Sequence, residues 1–165
     1  VIGAAVAPGE VIGVELDATL ASQARANLAG LDRVTIVAAN GAEYDSGPVD
    51  ALLVNAGVTH PRALWVDRLR VGGRMLLPLT NKEGTGMMLK VIRRPGGWAA
   101  QFVVGLTIFH CVGGRDPELC RRLEAGFAES NFRSVQSVRR DRHDPDSDCW
   151  LHVEGLCLSK QAVRN

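Results

Sequence analysis

Three short apolar runs, each closed by a polar residue, constrain the fold more than any other feature of the chain. Gly9 to Gly30 reads GEVIGVELDATLASQARANLAG, and its apolar run ends in an acid, Glu15. Asp17 is placed to cap a helix, because a side-chain oxygen there satisfies the first free backbone N–H groups. Leu16, Leu20, Ala24 and Leu28 recur every four residues, which predicts one apolar helix face. Gly30 suits the helix stop. Val34 to Ala38 is β-branched and strand-like, and ends in Asn40-Gly41. Ala51 to Val54 is apolar throughout, as expected of a central parallel strand buried on both faces, and ends in Asn55-Ala56-Gly57. Strands separated by helices imply a mostly parallel open α/β sheet, and such sheets bind ligands outside the carboxyl ends of their strands. The chain therefore reads as a binder of a nucleoside-bearing ligand.

The remaining sequence continues the pattern and then changes texture. Val1 to Ala7 reads as the last turns of a helix, with a turn at Pro8-Gly9. Ala42 to Gly47 is a short link. Pro61 predicts the first position of a helix running to about Leu69, broken by Gly72-Gly73. Arg74 to Leu79 is a strand, and Asn81 to Gly86 a polar loop. Met87 to Arg94 and Trp98 to Val112 read as antiparallel strands around Pro95-Gly96-Gly97. A helix is expected from Asp116 or Pro117 to about Ser130. A charged turn, Arg139 to Asp148, and a final strand, Trp150 to Ser159, close the chain. The expected organisation is one domain, 1–165, with a cofactor-binding half (1–80) and an antiparallel C-terminal part (81–165).

Composition excludes several classes. The 165 residues are 46% hydrophobic and 22% charged, ordinary for a soluble globular chain. A net charge of +1 argues against a nucleic-acid binder. No apolar run reaches the roughly 20 residues of a membrane span, and the start lacks the basic flank of a signal peptide. Cysteines at 111, 120, 149 and 157 form no C-x-x-C pair. The expectation is therefore no metal, and free thiols in a cytoplasmic protein.

Glu15 at a rigid strand end can accept both hydrogen bonds of a ribose diol; it is also the kind of acid that favours a helix N-terminus. Asn40-Gly41-Ala42 can read an adenine edge, with Gly41 allowing close approach, or form a simple turn. Asn55, Ala56 and Gly57 leave room for a ligand's reactive end, or make a tight strand-to-helix turn. The same three letters occur in short-chain dehydrogenases, but those need a Tyr-x-x-x-Lys pair. Here Tyr44 is the single tyrosine, and position 48 is Pro48. His60 is a candidate general base or substrate contact, or a cap before Pro61. Thr80 either faces a substrate cleft or is a polar strand end. His110 and His152 read as structural, His143 as solvated. Arg115-Asp116 is either a functional pair or the start of a helix, the second being preferred, and Trp65, Trp98 and Trp150 read as packing residues.

The segments GEVIGVELD, AANGAE, VDALLVNAGVTHPRALWVDRLRVGGRMLLPLT, FHCVGGRDPEL and WLHVEGLCLS together resemble class I S-adenosylmethionine-dependent methyltransferases. More narrowly, they resemble the protein-L-isoaspartate O-methyltransferase family. LRVGGRMLLPLT, Leu69 to Thr80, is similar to a family segment of the LKPGGRLVxPV type. The resemblance implies a Rossmann-like methyltransferase sheet with antiparallel C-terminal strands. It implies S-adenosyl-L-methionine as cofactor, with Glu15 on the ribose hydroxyls. Asn40 stands where the family usually has an Asp at the adenine, and Asn55, Ala56 and Gly57 line the methionine and methyl end. It implies carboxyl methylation of L-isoaspartyl residues in damaged proteins, with a protein or peptide as partner. Asn55, His60 and Thr80 are the candidates nearest the chemistry. The family's Gly-rich first motif has no counterpart here, so a chain incomplete at its N-terminus is expected. Other readings are another methyl acceptor, a non-catalytic methyltransferase-like fragment or, less in keeping with the residues, an NAD-dependent oxidoreductase.

Overall fold

The β-branched and apolar runs form most of the expected strands, but the one expected from Trp98 to Val112 ends at Thr107. In a computed structural model, residues 9–163 are described; the expected helix end at Val1 to Ala7, and Pro8, lie outside them. The chain divides into two compact units, one ending at Ser46 and one beginning at Gly47. The architecture is α/β, with parallel pairing in the N-terminal elements and antiparallel pairing in the C-terminal ones.

The first unit holds β1 (Val11–Glu15), α1 (Ala18–Asn27) and β2 (Val34–Ala38). β1 and β2 run parallel, with Glu15 beside Ala38. Asp17 caps α1: one carboxylate oxygen accepts from Thr19 N at 2.7 Å and Leu20 N at 3.0 Å. The helix face differs from expectation. Ala21 is the buried residue of α1, while Leu20 stays 51% exposed. A two-stranded sheet covers a narrow stripe, and the small Ala21 takes it. α1 also ends at Asn27 with Leu28 as C-cap, short of Gly30.

The second unit is a seven-stranded sheet. It comprises β3 (Val49–Leu53), α2 (Ala63–Arg68), β4 (Leu69–Thr80), β5 (Thr85–Arg94), β6 (Gly97–Thr107), α3 (Pro117–Ala128), a 3-10 turn (Asn131–Ser134), β7 (Ser137–Arg139), β8 (Cys149–Val153) and β9 (Leu156–Ser159). The strand order is β3-β4-β5-β6-β7-β9-β8. β3 pairs parallel with β4, and the other pairs are antiparallel. Alternation along β4 and β5 buries Met75 opposite Val91 and Leu77 opposite Leu89. Each such side chain contributes about 1.5–3 kcal/mol relative to exposure. A second cluster stacks Phe102 edge-on against Phe127, Phe132 and Trp150, at 5.2–5.8 Å between centroids. Trp150 also donates to Asn131 Oδ1 at 2.6 Å.

Four expectations change here. β3 lies at the edge of this sheet and Leu53 remains 53% exposed, so it is not buried on both faces. α2 begins at Ala63, two residues after Pro61, with Arg62 at the N-cap and no side-chain cap bond. Gly72-Gly73 does not end a helix. β4 already begins at Leu69, and a Cβ on Gly73 would lie 2.8 Å from the Arg70 carbonyl oxygen, so the chain needs glycine to loop there. The last segment is a hairpin, because Gly155 takes φ +69°, a turn geometry that favours glycine.

Candidate functional site

In the first unit, the parallel pairing places the carboxyl ends of β1 and β2 side by side. Ala39 N–H donates to the Glu15 carbonyl at 2.9 Å, extending the ladder one residue past β2. Glu15 is half-buried as a residue, and its carboxylate Oε1 accepts from Asp17 N–H at 2.9 Å. One backbone bond therefore orients the acid. Asn40 forms a turn with its own backbone: Oδ1 accepts from Ala42 N–H at 3.0 Å, and its carbonyl accepts from Glu43 and Tyr44 N–H at 3.0 and 2.9 Å. This Asx-type bond fixes the amide and leaves Nδ2 as the group to present. Gly41 is exposed and Ala42 buried. Glu15, Asn40, Gly41 and Ala42 thus share one end of the β1–β2 pair.

In the second unit, Asn55, Ala56 and Gly57 follow β3. Asn55 is exposed, Ala56 half-buried and Gly57 buried. Val58 continues parallel to β4 as a single bridge to Leu79, and Gly57 bridges His110. Gly57 N–H donates to the Phe109 carbonyl at 2.7 Å, and Cys111 N–H donates to the Gly57 carbonyl at 2.9 Å. The segment before α3 therefore lies along this strand end as an added strip. It leaves the Phe109 ring 91% exposed.

Arg115 ties these pieces together, a role the sequence reading did not assign to it. Its Nη1 donates to the Gly57 carbonyl at 3.1 Å and to Thr80 Oγ1 at 2.8 Å. Its Nη2 donates to the carbonyls of Thr80 at 3.3 Å and Asn81 at 2.7 Å, and reaches Cys120 Sγ at 2.9 Å. Asp116 caps α3, with one carboxylate oxygen accepting from Glu118 and Leu119 N–H at 2.8 and 3.0 Å, which holds its carboxyl below the usual carboxylate range. Asp116 starts the helix as expected, while the neighbouring guanidinium spans the strand ends. The one sequence signal for Arg115 is a cation immediately before a capped helix.

Thr80 is fully buried and its hydroxyl accepts from Arg115. Thr59, also fully buried, accepts from Asp116 N–H at 3.0 Å and pairs with His60 Nδ1 at 3.0 Å. Burial, reinforced by Arg62, lowers the His60 pKa, and Asp116 opposes part of that. His60 is therefore a neutral imidazole near pH 7. Burial also raises the Cys111 thiol, so it is not an activated nucleophile.

Residues 2–116 match the protein-L-isoaspartate(D-aspartate) O-methyltransferase family. Among curated proteins, the chain is 29% identical over 94 residues to a protein-L-isoaspartate O-methyltransferase of Ignicoccus hospitalis, covering 54% of this chain and 44% of that one. It is 28% identical over 102 residues to the enzyme of the same name from Dinoroseobacter shibae, covering 61% and 47%. The matched part spans less than half the length of these relatives. Among solved structures, a Plasmodium falciparum protein-L-isoaspartate O-methyltransferase in complex with S-adenosyl-L-homocysteine superposes with a TM-score of 0.54 at 18% identity, covering 62% of this chain and 52% of that one. A second protein-L-isoaspartate O-methyltransferase gives 0.58 at 18% identity, covering 82% and 42%. At that identity the two structures establish the shared fold. The sequence match over residues 2–116 does more, and on it the chain belongs to the protein-L-isoaspartate(D-aspartate) O-methyltransferase family.

Proposed function

We propose that this chain binds S-adenosyl-L-methionine and serves methyl transfer to the free carboxyl group of L-isoaspartyl residues in damaged proteins. The observation that carries the reading is the paired end of β1 and β2, where Glu15 closes one strand and Asn40 follows the other, each with a side-chain oxygen held by a backbone N–H. A carboxylate held by one backbone bond keeps acceptor capacity for the two hydroxyls of a ribose. Asn40, with Oδ1 engaged, offers Nδ2–H to a ring nitrogen of adenine. Within the second unit, Asn55, Ala56 and Gly57 are assigned to the methionine and methyl end. The donor, when bound, supplies an electrophilic methyl on a sulfonium. A carboxylate acceptor needs little base assistance, so this chain's residues work by orientation. Asn55 is the exposed polar group suited to contact. His60 stays neutral, and Thr80, spent on Arg115, is a positioning residue. The exposed ring of Phe109, whose backbone carbonyl bonds Gly57 N–H, suits an apolar contact with a peptide. No helix among the described residues is long and apolar enough to cross a membrane. All four cysteines are free of disulfides, which supports a reducing, cytoplasmic setting.

Titration of S-adenosyl-L-homocysteine by calorimetry tests the cofactor, with Glu15→Ala as control. Saturable binding that weakens about tenfold or more in the variant supports the site. Absence of binding to the folded chain overturns it. Methyl transfer to an isoaspartyl peptide, and not to its aspartyl counterpart, tests the acceptor; equal transfer to both overturns that part alone.

A further inference from the structure

Four metal-ligating side chains converge at the C-terminal hairpin of the second unit, none of them among the residues assigned above. Cys149 and His152 lie on β8, Cys157 on β9, and His143 in the loop between β7 and β8. In a regular strand, residues three apart face opposite sides. Here the register slips: Cys149 pairs with Ser159 but Leu151 with Leu158. The bulge resets the alternation and turns Cys149 and His152 to one side. His152 stands directly across from Cys157. The loop brings the His143 ring to 4.9 Å from that of His152, nearly perpendicular to it at 84°.

Cys149 Sγ lies 3.4 Å from His143 Nε2 and 3.7 Å from His152 Nδ1. One donor atom from each of the four residues falls within 4.8 Å of all the others. Tetrahedral zinc, with bonds of about 2.0–2.1 Å to nitrogen and 2.3 Å to sulfur, sets neighbouring donors about 3.3–3.8 Å apart. The outer contacts also fit. His143 Nδ1 bonds the Asp141 carbonyl at 2.9 Å and lies 3.3 Å from its carboxylate, which leaves Nε2 facing inward. Such a partner on the second imidazole nitrogen is what orients a ligating histidine. Arg139 bonds the carboxylates of Asp141 and Asp146 at 2.8 and 3.1 Å, bracketing the loop. Asp146 in turn accepts from Asp148 and Cys149 N–H at 2.9 and 3.1 Å; it also accepts from the Cys149 thiol at 3.3 Å, a bond given up when that thiol ionises to bind metal.

We propose that His143, Cys149, His152 and Cys157 form a structural Zn2+ site. Two thiolates and two imidazoles select zinc over the oxygen-seeking Mg2+ and Ca2+. Four protein donors fill a tetrahedron and leave no open position, so the site is structural rather than catalytic. Binding releases the two thiol protons and pins the charged 140–148 loop onto the β8–β9 hairpin. The absence of a C-x-x-C pair hid the site in the sequence. Its pattern is H-x5-C-x2-H-x4-C, and its geometry depends on the bulge.

The test measures zinc by elemental analysis in tag-free chain purified without metal-affinity chromatography. One zinc per chain is expected. Cys149→Ser and Cys157→Ser should lose it, while Cys111→Ser keeps it. Cobalt(II) titration of the chelator-stripped wild-type chain, with thiols kept reduced, needs no variant to fold. It should give the intense visible bands of tetrahedral cobalt and thiolate charge transfer, weakened in His143→Asn. Absence of that spectrum in folded, reduced wild-type chain overturns the proposal. Zinc retained in Cys149→Ser to the level of Cys111→Ser overturns it equally, as does a Cys149–Cys157 disulfide with no bound metal in chain purified without reductant.

Discussion

A Cβ on Gly57 would run into the side chain of Thr80, which is itself fully buried and held by Arg115. Gly57→Ala is therefore expected to destabilise the chain by about 1–3 kcal/mol, the usual cost of overpacking, as a lowered urea midpoint. Arg115 holds carbonyls from three residues and the Thr80 hydroxyl at once. Arg115→Met strands those acceptors and should cost about 2–3 kcal/mol by the same measurement. Arg115→Lys should recover only part, because a point charge cannot reproduce the planar fork. His60 gives the site a pH dependence of defined sign. Burial favours its neutral form in the folded chain. Below the ordinary imidazole value of about 6.5 the unfolded chain takes up a proton that the folded chain resists. The stability due to this group is complete above that value and lost as pH falls toward the lowered folded pKa. His60→Gln should flatten the fall in melting temperature between about pH 7 and pH 5; an unchanged slope would show that His60 does not report on folding.

At the scale of elements, capping was legible in the sequence because it is local. Asp17 and Asp116 sit at the N-caps of α1 and α3 and bond the N–H groups two and three residues on. Asp17→Ala should cost about 1 kcal/mol by denaturant titration. Helix faces and strand positions were less legible. The four-residue recurrence through Leu16 and Leu20 marks an apolar stripe, but the strands it packs on decide which residue is covered, and Ala21 is that residue. The apolar run at Ala51 to Val54 likewise shows a strand without showing its neighbours, and β3 lies at the edge of its sheet. The single expected strand from Trp150 to Ser159 folds as a hairpin because Glu154-Gly155 can turn, a possibility that a continuous strand-like composition obscures.

Across the whole molecule, the burial is unevenly spread. Among the described residues of the first unit, Ala21 and Ala42 are the buried apolar ones. The second unit buries Met75, Leu77, Leu79, Leu89 and Val91 along two adjacent strands. Opening free energy follows such local packing. Hydrogen exchange should therefore be slowest in β4 and β5 and markedly faster in β1 and β2; equal protection of the two pairs would contradict this account. The sequence by itself determined the strand ends that hold Glu15, Asn40 and Asn55 to Gly57, the helix caps, and the family resemblance, because each rests on residues adjacent along the chain. Only the tertiary structure decided that Arg115 reaches back 58 residues to Gly57. It alone decided that a bulge in β8 turns Cys149 and His152 to one side, across from Cys157. The reason is that periodicity encodes which way a side chain faces, whereas sheet order and register, set by the packing of distant segments, decide what it meets.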